Sequence, residues 1–377
     1  MRGRHVLKFS SYWITRMKIG LTFNSRSTSS SVPAPHAAGF SLPHSNSLSD
    51  SNEFDPGAAD DSEEEFDSLA TIEALGDTIR SFGHEVELMG DGEPLLRRLL
   101  LGPRPDLVFN IAEGRGIGRS REARVPAVCE MLGIPHTGSD PLTLAATLDK
   151  DCAKRLIRDA GLPTPRWVLV DRPAAELRDE LYELPLPVIL KPAYEGSSKG
   201  IRFKCFIDDR DELLEAADEL RLAYRQPVLA EEFIDGDELT VGLVGNPPEV
   251  LGIMRILPTQ TDKPFLYSLE VKRDWEERVR YECPAKIGVA ATAAVEQAAL
   301  KAWQALGCRD VSRFDFRLRD GVPYFLEVNP LPGLSPTTSD LIFLTDRIGI
   351  THRELIGRIL EAAIGRMETA LAPVQQR

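Results

Sequence analysis

The chain is 377 residues long, 42% apolar and 27% charged, a composition that buries a sizeable core and leaves room for two to three domains. Its 45 Lys and Arg face 58 Asp and Glu, a net charge of −13, and no run of 18 apolar residues occurs; a membrane span and a protein that coats nucleic acid both lose ground. Five cysteines, Cys129, Cys152, Cys205, Cys283 and Cys308, lack the close spacing of a zinc or redox motif and read as small core residues in a reducing compartment.

The first 49 residues hold six Lys or Arg, eleven Ser and no acid, superficially an organelle transit peptide. An apolar strand from Met17 to Asn24 lies inside that stretch, so residues 1–16 read instead as a dispensable, disordered extension. Ser25 to about Ser62 is rich in Ser, Pro, Ala and Gly and ends in Asp60, Asp61, Glu63, Glu64 and Glu65. Such a segment is too polar to offset the entropy of ordering, which predicts a mobile insert over 25–62.

From Phe66 strands and helices alternate. Ile72, Leu75, Ile79 and Phe82 recur at helical spacing between a candidate N-cap, Asp67 or Ser68, and a stop at Gly83. Strands follow at Glu85–Met89 and Asp106–Ile111, then helices at Val125–Leu132 and Thr147–Gly161. This β-α-β order predicts a parallel sheet over 17–140. A compositional shift near 140–150 leads into strands at Trp167–Val170, Pro187–Lys191, Gly200–Phe206, Val228–Ile234, Glu238–Val244 and Val250–Ile256.

Three segments carry chemistry. Val188 to Ile201 is a strand ending in Lys191 followed by Glu195-Gly196-Ser197-Ser198-Lys199-Gly200; glycines, hydroxyls and a lysine suit a polyphosphate, although a polar hairpin turn explains the loop alone equally well. Val228 to Val241 is a hairpin with an acidic turn, whose backbone could read an adenine edge. In Arg313 to Asn329, period two places Arg313, Asp315 and Arg317 on one face and Phe314, Phe316 and Leu318 on the other. The next strand puts Phe325, Glu327 and Asn329 together, with Tyr324, Leu326 and Val328 opposite. Asp315, Glu327 and Asn329 offer hard oxygen ligands of the kind Mg²⁺ takes beside nucleotide phosphates. For both carboxylates to share a metal, Asp315 must pair with Glu327, which predicts a three-residue loop at Asp320-Gly321-Val322. A two-residue turn would set Glu327 opposite Phe314, among the aromatics.

In this order and spacing the segments resemble the ATP-grasp ligases, and more closely the D-alanine–D-alanine ligases. The resemblance covers roughly Asp106 to Ile359 and includes Gly133 to Gly138, Leu148-Asp149-Lys150, Gly161 to Pro165 and Gly349 to Ile356. It implies an α/β chain in which an N-terminal parallel-sheet (pre-ATP-grasp) domain precedes a two-lobed α+β ATP-grasp fold with lobes at 141–226 and 227–370. It implies an ATP-dependent carboxylate–amine ligase that joins two D-alanines in cytoplasmic peptidoglycan biosynthesis, without nucleic acid or membrane, and allows a homodimer. Lys150 and Lys191 would contact the nucleotide phosphates, under a loop of Glu195, Gly196, Ser197 and Ser198. Glu231, Glu232, Phe233 and Ile234 would frame adenine, and Glu238 would hold ribose. Asp315, Glu327 and Asn329 would bind two Mg²⁺ or Mn²⁺ ions. Arg313, Ser197 and Lys272 would serve catalysis, and Glu113, Gly333, Thr338 and Ser339 would meet the amino acids.

The chain also departs from that pattern. Glu113 in Ile111-Ala-Glu-Gly114 stands where the ligases carry a histidine, Lys272-Arg273 replaces Lys-Tyr, and Pro330 to Ser335 replaces Thr-Ser-Pro-Gly-Met-Thr. These changes keep the same chemistry on other amino acids or small acids open, beside a non-catalytic ATP-binding module. Gly114-Arg-Gly-Ile-Gly118 lacks the spacing of a dinucleotide turn, and the six histidines form no ligand-spaced cluster.

Overall fold

The computed structural model describes residues 16–27, 61–260 and 264–371. Residues 1–15 of the expected 1–16 extension and residues 28–60 of the expected insert lie outside these. Strands β1 (Lys18–Phe23), β2 (Glu85–Leu88) and β3 (Leu107–Ile111) form a parallel sheet in the order β2-β1-β3, with α1 (Leu69–Arg80), α2 (Gly92–Leu101) and α3 (Arg124–Leu132) following them in turn. Ser68 caps α1, its Oγ accepting the Thr71 N–H at 3.1 Å, and Ile72, Leu75 and Ile79 are buried as the periodicity predicts.

The single helix expected over 147–161 is two: α4 (Pro141–Leu148) and α5 (Lys150–Asp159). Asp149 between them leaves helical geometry with ψ 99° and accepts the Cys152 N–H at 3.1 Å, ending one helix by capping the next.

A second sheet, antiparallel in the order β4-β7-β5-β6, contains β4 (Trp167–Val170), β5 (Val188–Pro192), β6 (Phe206–Ile207) and β7 (Val228–Glu232). It shares a core with α6 (Arg178–Tyr182) and α7 (Leu213–Tyr224). The strand expected over 200–206 shrinks to Phe206–Ile207 after a 3₁₀ turn at Phe203–Cys205, because Ser197 and Ser198, at φ 50° and 59°, wind the preceding loop left-handed.

The third sheet is antiparallel in the order β10-β9-β8-β11-β12. Its strands are β8 (Asp237–Val244), β9 (Glu249–Pro258), β10 (Val279–Glu282), β11 (Val311–Arg319) and β12 (Val322–Asn329), with α8 (Leu269–Arg273), α9 (Trp275–Arg278) and α10 (Val289–Leu306) in the connections. Leu239, Val241, Phe314, Phe316, Phe325 and Val328 face α10 and bury Trp303, leaving the opposite face for polar side chains. The last described elements are α11 (Asp340–Arg347) and α12 (His352–Leu371), and Leu355, Ile356 and Ile359 of α12 join the core of the first sheet.

The β11–β12 hairpin corrects one expectation and meets another. Its turn is two residues, not three: Arg319 pairs with Val322, and Asp320 and Gly321 adopt φ 52° and 77°, the two positive values a tight Asp-Gly hairpin turn requires. The register then shifts between Asp315 and Phe316, so that Phe316 pairs with Phe325 but Asp315 pairs with Glu327 and Arg313 with Asn329. A bulge at Leu326 keeps both the favoured turn and a carboxylate clear of the aromatic core. As a result Phe325 is buried against Phe316, ring centroids 6.0 Å apart, while Tyr324 and Leu326 stay partly exposed, the reverse of the simple alternation.

Both described ends of the expected mobile insert are bound to the body. Ser25 bridges to Asp67, Arg26 Nε donates to the Phe66 carbonyl at 2.8 Å, and fully buried Asp61 accepts from Gly200 N–H at 2.9 Å and Tyr224 Oη at 2.7 Å. Acidity here is a set of partners for buried donors. Composition alone reads it as solvation.

Candidate active site

The polar face of β11 and β12 forms the floor. Asp315 accepts from Thr240 Oγ1 at 2.8 Å and from Arg313 Nη2 at 2.9 Å; Arg313 also pairs with Asp340 at 3.4 Å. Burial drives Glu327 toward the neutral form, yet Lys150, Lys191, Lys272 and Arg313 outweigh it and hold its pKa down at about 2. Asp315 moves the other way: burial and the Glu327 charge raise it against the pull of Arg313. Among the described residues no three His, Cys, Asp or Glu converge on a metal. The floor instead offers two opposed carboxylates with Asn329 alongside, and its donor set fits a hard cation that takes its remaining ligands from phosphate oxygens.

On one side lies a small cavity of about 70 Å³ lined by Lys191, Glu231 to Ile234, Glu238, Asp315 and Glu327. Lys191 pairs with Glu231 Oε1, and Lys150 lies 3.2 Å from Glu327 and donates to the Glu195 carbonyl at 2.5 Å. The lysines thus hold internal acceptors that phosphate oxygens would replace. Glu238 pairs with Arg317 at 2.6 Å, directly across the sheet. Glu232 turns its carboxylate to Arg319 at 3.4 Å, so only its backbone is available to a base. The Phe233 ring lies 5.0 Å from the Arg317 guanidinium. At this size the cavity is well below the roughly 300 Å³ of a small-molecule site, so a nucleotide must displace its roof.

That roof is the loop expected to cover phosphates. Ser198 Oγ donates to the Tyr267 carbonyl at 3.2 Å, and the Gly196 N–H donates to Glu65 Oε1 at 2.6 Å. The Glu195 carboxylate is turned away into protein: Gln226 Nε2 donates to it at 2.6 Å, and Lys199 and Arg121 pair with it at 2.9 Å and 3.3 Å. These partners shape the loop, and Glu195 also borders the larger cavity.

On the other side is a cavity of about 430 Å³ that takes in Glu113, Lys150, Gly196, Ser197, Gly333, Thr338 and Ser339. Arg313, Lys272, Glu327, Tyr267 and Asp340 border both cavities, so the two meet over the carboxylate floor. Lys272 sits 5.2 Å from the Tyr267 ring, and Tyr267 Oη bonds Tyr281 Oη at 2.8 Å and Asp340 at 3.0 Å. A tyrosine therefore does reach the larger cavity, from five residues before Lys272.

Glu113 reaches the cavity because Gly114 turns behind it at φ 76°, where a Cβ would meet the Arg121 carbonyl oxygen at 2.6 Å. Beside it is buried Glu122, and below both is Arg121, 1% exposed, which pairs with Glu65 at 2.6 Å and donates to the Tyr194 carbonyl. Burial pushes both carboxyls up: Glu113 well above the usual range, with the Glu122 and Glu65 charges adding to it, and Glu122 to about 7, where the Glu65 charge adds and Arg121 opposes. Because its folded value is raised, Glu122 costs stability progressively as pH rises from about 4.5 to about 7. Glu122→Gln is therefore expected to gain on the order of 2 kcal/mol over wild type at pH 8 and almost nothing at pH 4. Urea unfolding at the two pH values checks this, and an equal difference at both would contradict it.

Arg121, Glu122, Glu65, Tyr267, Asp340 and Lys154 escape the sequence reading. Each belongs to a contact with a distant segment, and only the acidic run 61–65 and the isolated Arg-Glu after the glycine loop give a local signal.

The family model described as "D-ala D-ala ligase C-terminus" matches residues 156–361. The D-alanine–D-alanine ligase of Xanthomonas axonopodis pv. citri (strain 306) is 35% identical over 294 residues, 76% of this chain and 87% of that protein. An uncharacterized protein of Sinorhizobium fredii is 35% identical over 76% of this chain and 84% of its own length. In fold, the chain is similar to the crystal structure of the Bacillus anthracis D-alanine–D-alanine ligase complexed with ATP: TM-score 0.67, 22% identity, 94% of this chain and 99% of that one. A floor of opposed carboxylates, two lysines and a serine-glycine roof is thus placed in a fold and a sequence background of one kind, and the chain belongs to the D-alanine–D-alanine ligase family of ATP-grasp enzymes.

Proposed function

We propose that the protein is an ATP-dependent carboxylate–amine ligase that joins two D-alanines for peptidoglycan biosynthesis. The observation that carries this is the meeting of the two cavities over Arg313, Lys272 and Glu327, where a phosphate donor and an amino acid would touch. A carboxylate oxygen of the first substrate attacks the γ-phosphorus of ATP and ADP departs. The amine of the second attacks the carbonyl carbon of the acyl phosphate, and phosphate leaves with the original carboxylate oxygen as the amide forms.

Lys150 and Lys191 exchange Glu195, Glu327 and Glu231 for phosphate oxygens, and the N–H groups of Gly196 to Ser198 cover the transferring group. Asp315, Glu327 and Asn329 would hold two Mg²⁺ ions, which supply charge neutralisation at the phosphates. The Arg313 guanidinium faces the oxyanion of the tetrahedral state, and Lys272 adds charge beside it. The Glu231 to Ile234 edge takes adenine, with Glu238 at the ribose, and Gly333, Thr338 and Ser339 receive the second carboxylate. Five free cysteines support a cytoplasmic setting.

A second reading is favoured by the Glu113–Glu122 pair: a first substrate that brings a second amine. Phosphate release from ATP and Mg²⁺ is measured with D-alanine, its L-isomer, other D-amino acids and D-diamino acids. D-alanine alone supporting release, with D-alanyl-D-alanine as product, upholds the first reading; preference for a diamino acid upholds the second. Release with none of them overturns both.

A further inference from the structure

Two side chains outside the proposed roles join the nucleotide end of the site to its metal end. Lys154 of α5 is fully buried, its Nζ 2.7 Å from Glu231 Oε2 and donating to Thr164 Oγ1 at 2.6 Å, with the Trp167 ring 5.3 Å away. Glu231 is buried and borders the small cavity, and Lys191 pairs with its other oxygen. Thr164 continues the chain: its Oγ1 donates to the Phe325 carbonyl at 2.8 Å, and the Phe325 N–H donates to the Pro163 carbonyl at 2.8 Å. Phe325 stands beside the Leu326 bulge, on the outer strand of the five-stranded sheet, where β11 supports β12 from one side only.

We propose that Lys154 and Thr164 are positioning residues: the ammonium keeps the Glu231 carboxylate turned to the 6-amino group of adenine, and through Thr164 it clamps β12 at the bulge that sets Glu327 across from Asp315. The proposal rests on the nucleotide placement proposed above. A buried ion pair contributes little over a well-packed apolar pair of the same shape, so stability alone does not explain a lysine here. Orientation of an acceptor does, because Lys154 keeps its hold on Glu231 Oε2 when Lys191 leaves Oε1 for a phosphate oxygen.

The test uses the full chain with Mg²⁺ and either ATP or inosine triphosphate, which carries a carbonyl in place of the 6-amino group. Wild type is expected to bind ATP more tightly by calorimetry. Lys154→Met is expected to weaken ATP about tenfold and inosine triphosphate less than about twofold, so that the preference collapses. Thr164→Val is expected to raise the Mg²⁺ concentration for half-maximal turnover about fivefold, and Thr164→Ser, which keeps the hydroxyl, to restore it. If Lys154→Met does not fold, the two Thr164 variants decide the outcome. A structural role alone would lower the melting temperature and weaken both nucleotides equally, which overturns the proposal. A wild type that binds both nucleotides equally overturns the adenine placement, whereas a wild type that prefers ATP with every variant unchanged overturns the positioning role alone.

Discussion

Glu327→Gln is expected to fold with a lowered melting temperature, because the carboxylate that four cations hold ionised is lost, and to lose about 10²–10⁴-fold in turnover. The substitution preserves shape and removes one charge from a floor whose purpose, on this account, is to neutralise a transferring phosphoryl group. Lys150 loses its 3.2 Å partner but keeps the Glu195 carbonyl, so it stays anchored. The Mg²⁺ requirement should rise together with the fall in turnover. Unchanged turnover at saturating Mg²⁺ would remove Glu327 from the metal site.

Arg313→Lys is expected to lower kcat about 10²-fold while KM for ATP changes less than about threefold. A guanidinium bridges Asp315 and Asp340 at 2.9 Å and 3.4 Å and still points donors into the cavity; an ammonium keeps the charge but cannot span both acids and a reacting oxygen. Because the charge is retained in a buried acidic setting, loss of folding is not the expected cause of any loss of rate. A parallel rise in KM for ATP would place Arg313 at the nucleotide rather than at the acyl group.

Much of this site was legible along the chain because it is built from local periodicity. Arg313, Asp315, Glu327 and Asn329 share a face by strand parity, and Lys191 ends a strand just before the serine-glycine loop. The turn is not legible from parity, which does not show a bulge: a tight Asp-Gly turn and an outward Glu327 are incompatible only on a regular ladder. Arg121 was missed for a different reason. Its partners Glu65 and Glu195 lie 56 and 74 residues away, and nothing in their local sequence says that they converge. Asp61 was likewise read as solvated, although it fills a pocket of donors around Gly200 that only the folded chain assembles.

The central claim is that the carboxylate is activated as an acyl phosphate, and oxygen tracing tests it most directly. D-alanine carrying ¹⁸O in its carboxylate is supplied with ATP and Mg²⁺, and the released phosphate and the dipeptide are weighed by mass spectrometry. One ¹⁸O in each phosphate, with ADP as the nucleotide product, is the predicted result. Unlabelled phosphate, or label appearing in AMP, would contradict it.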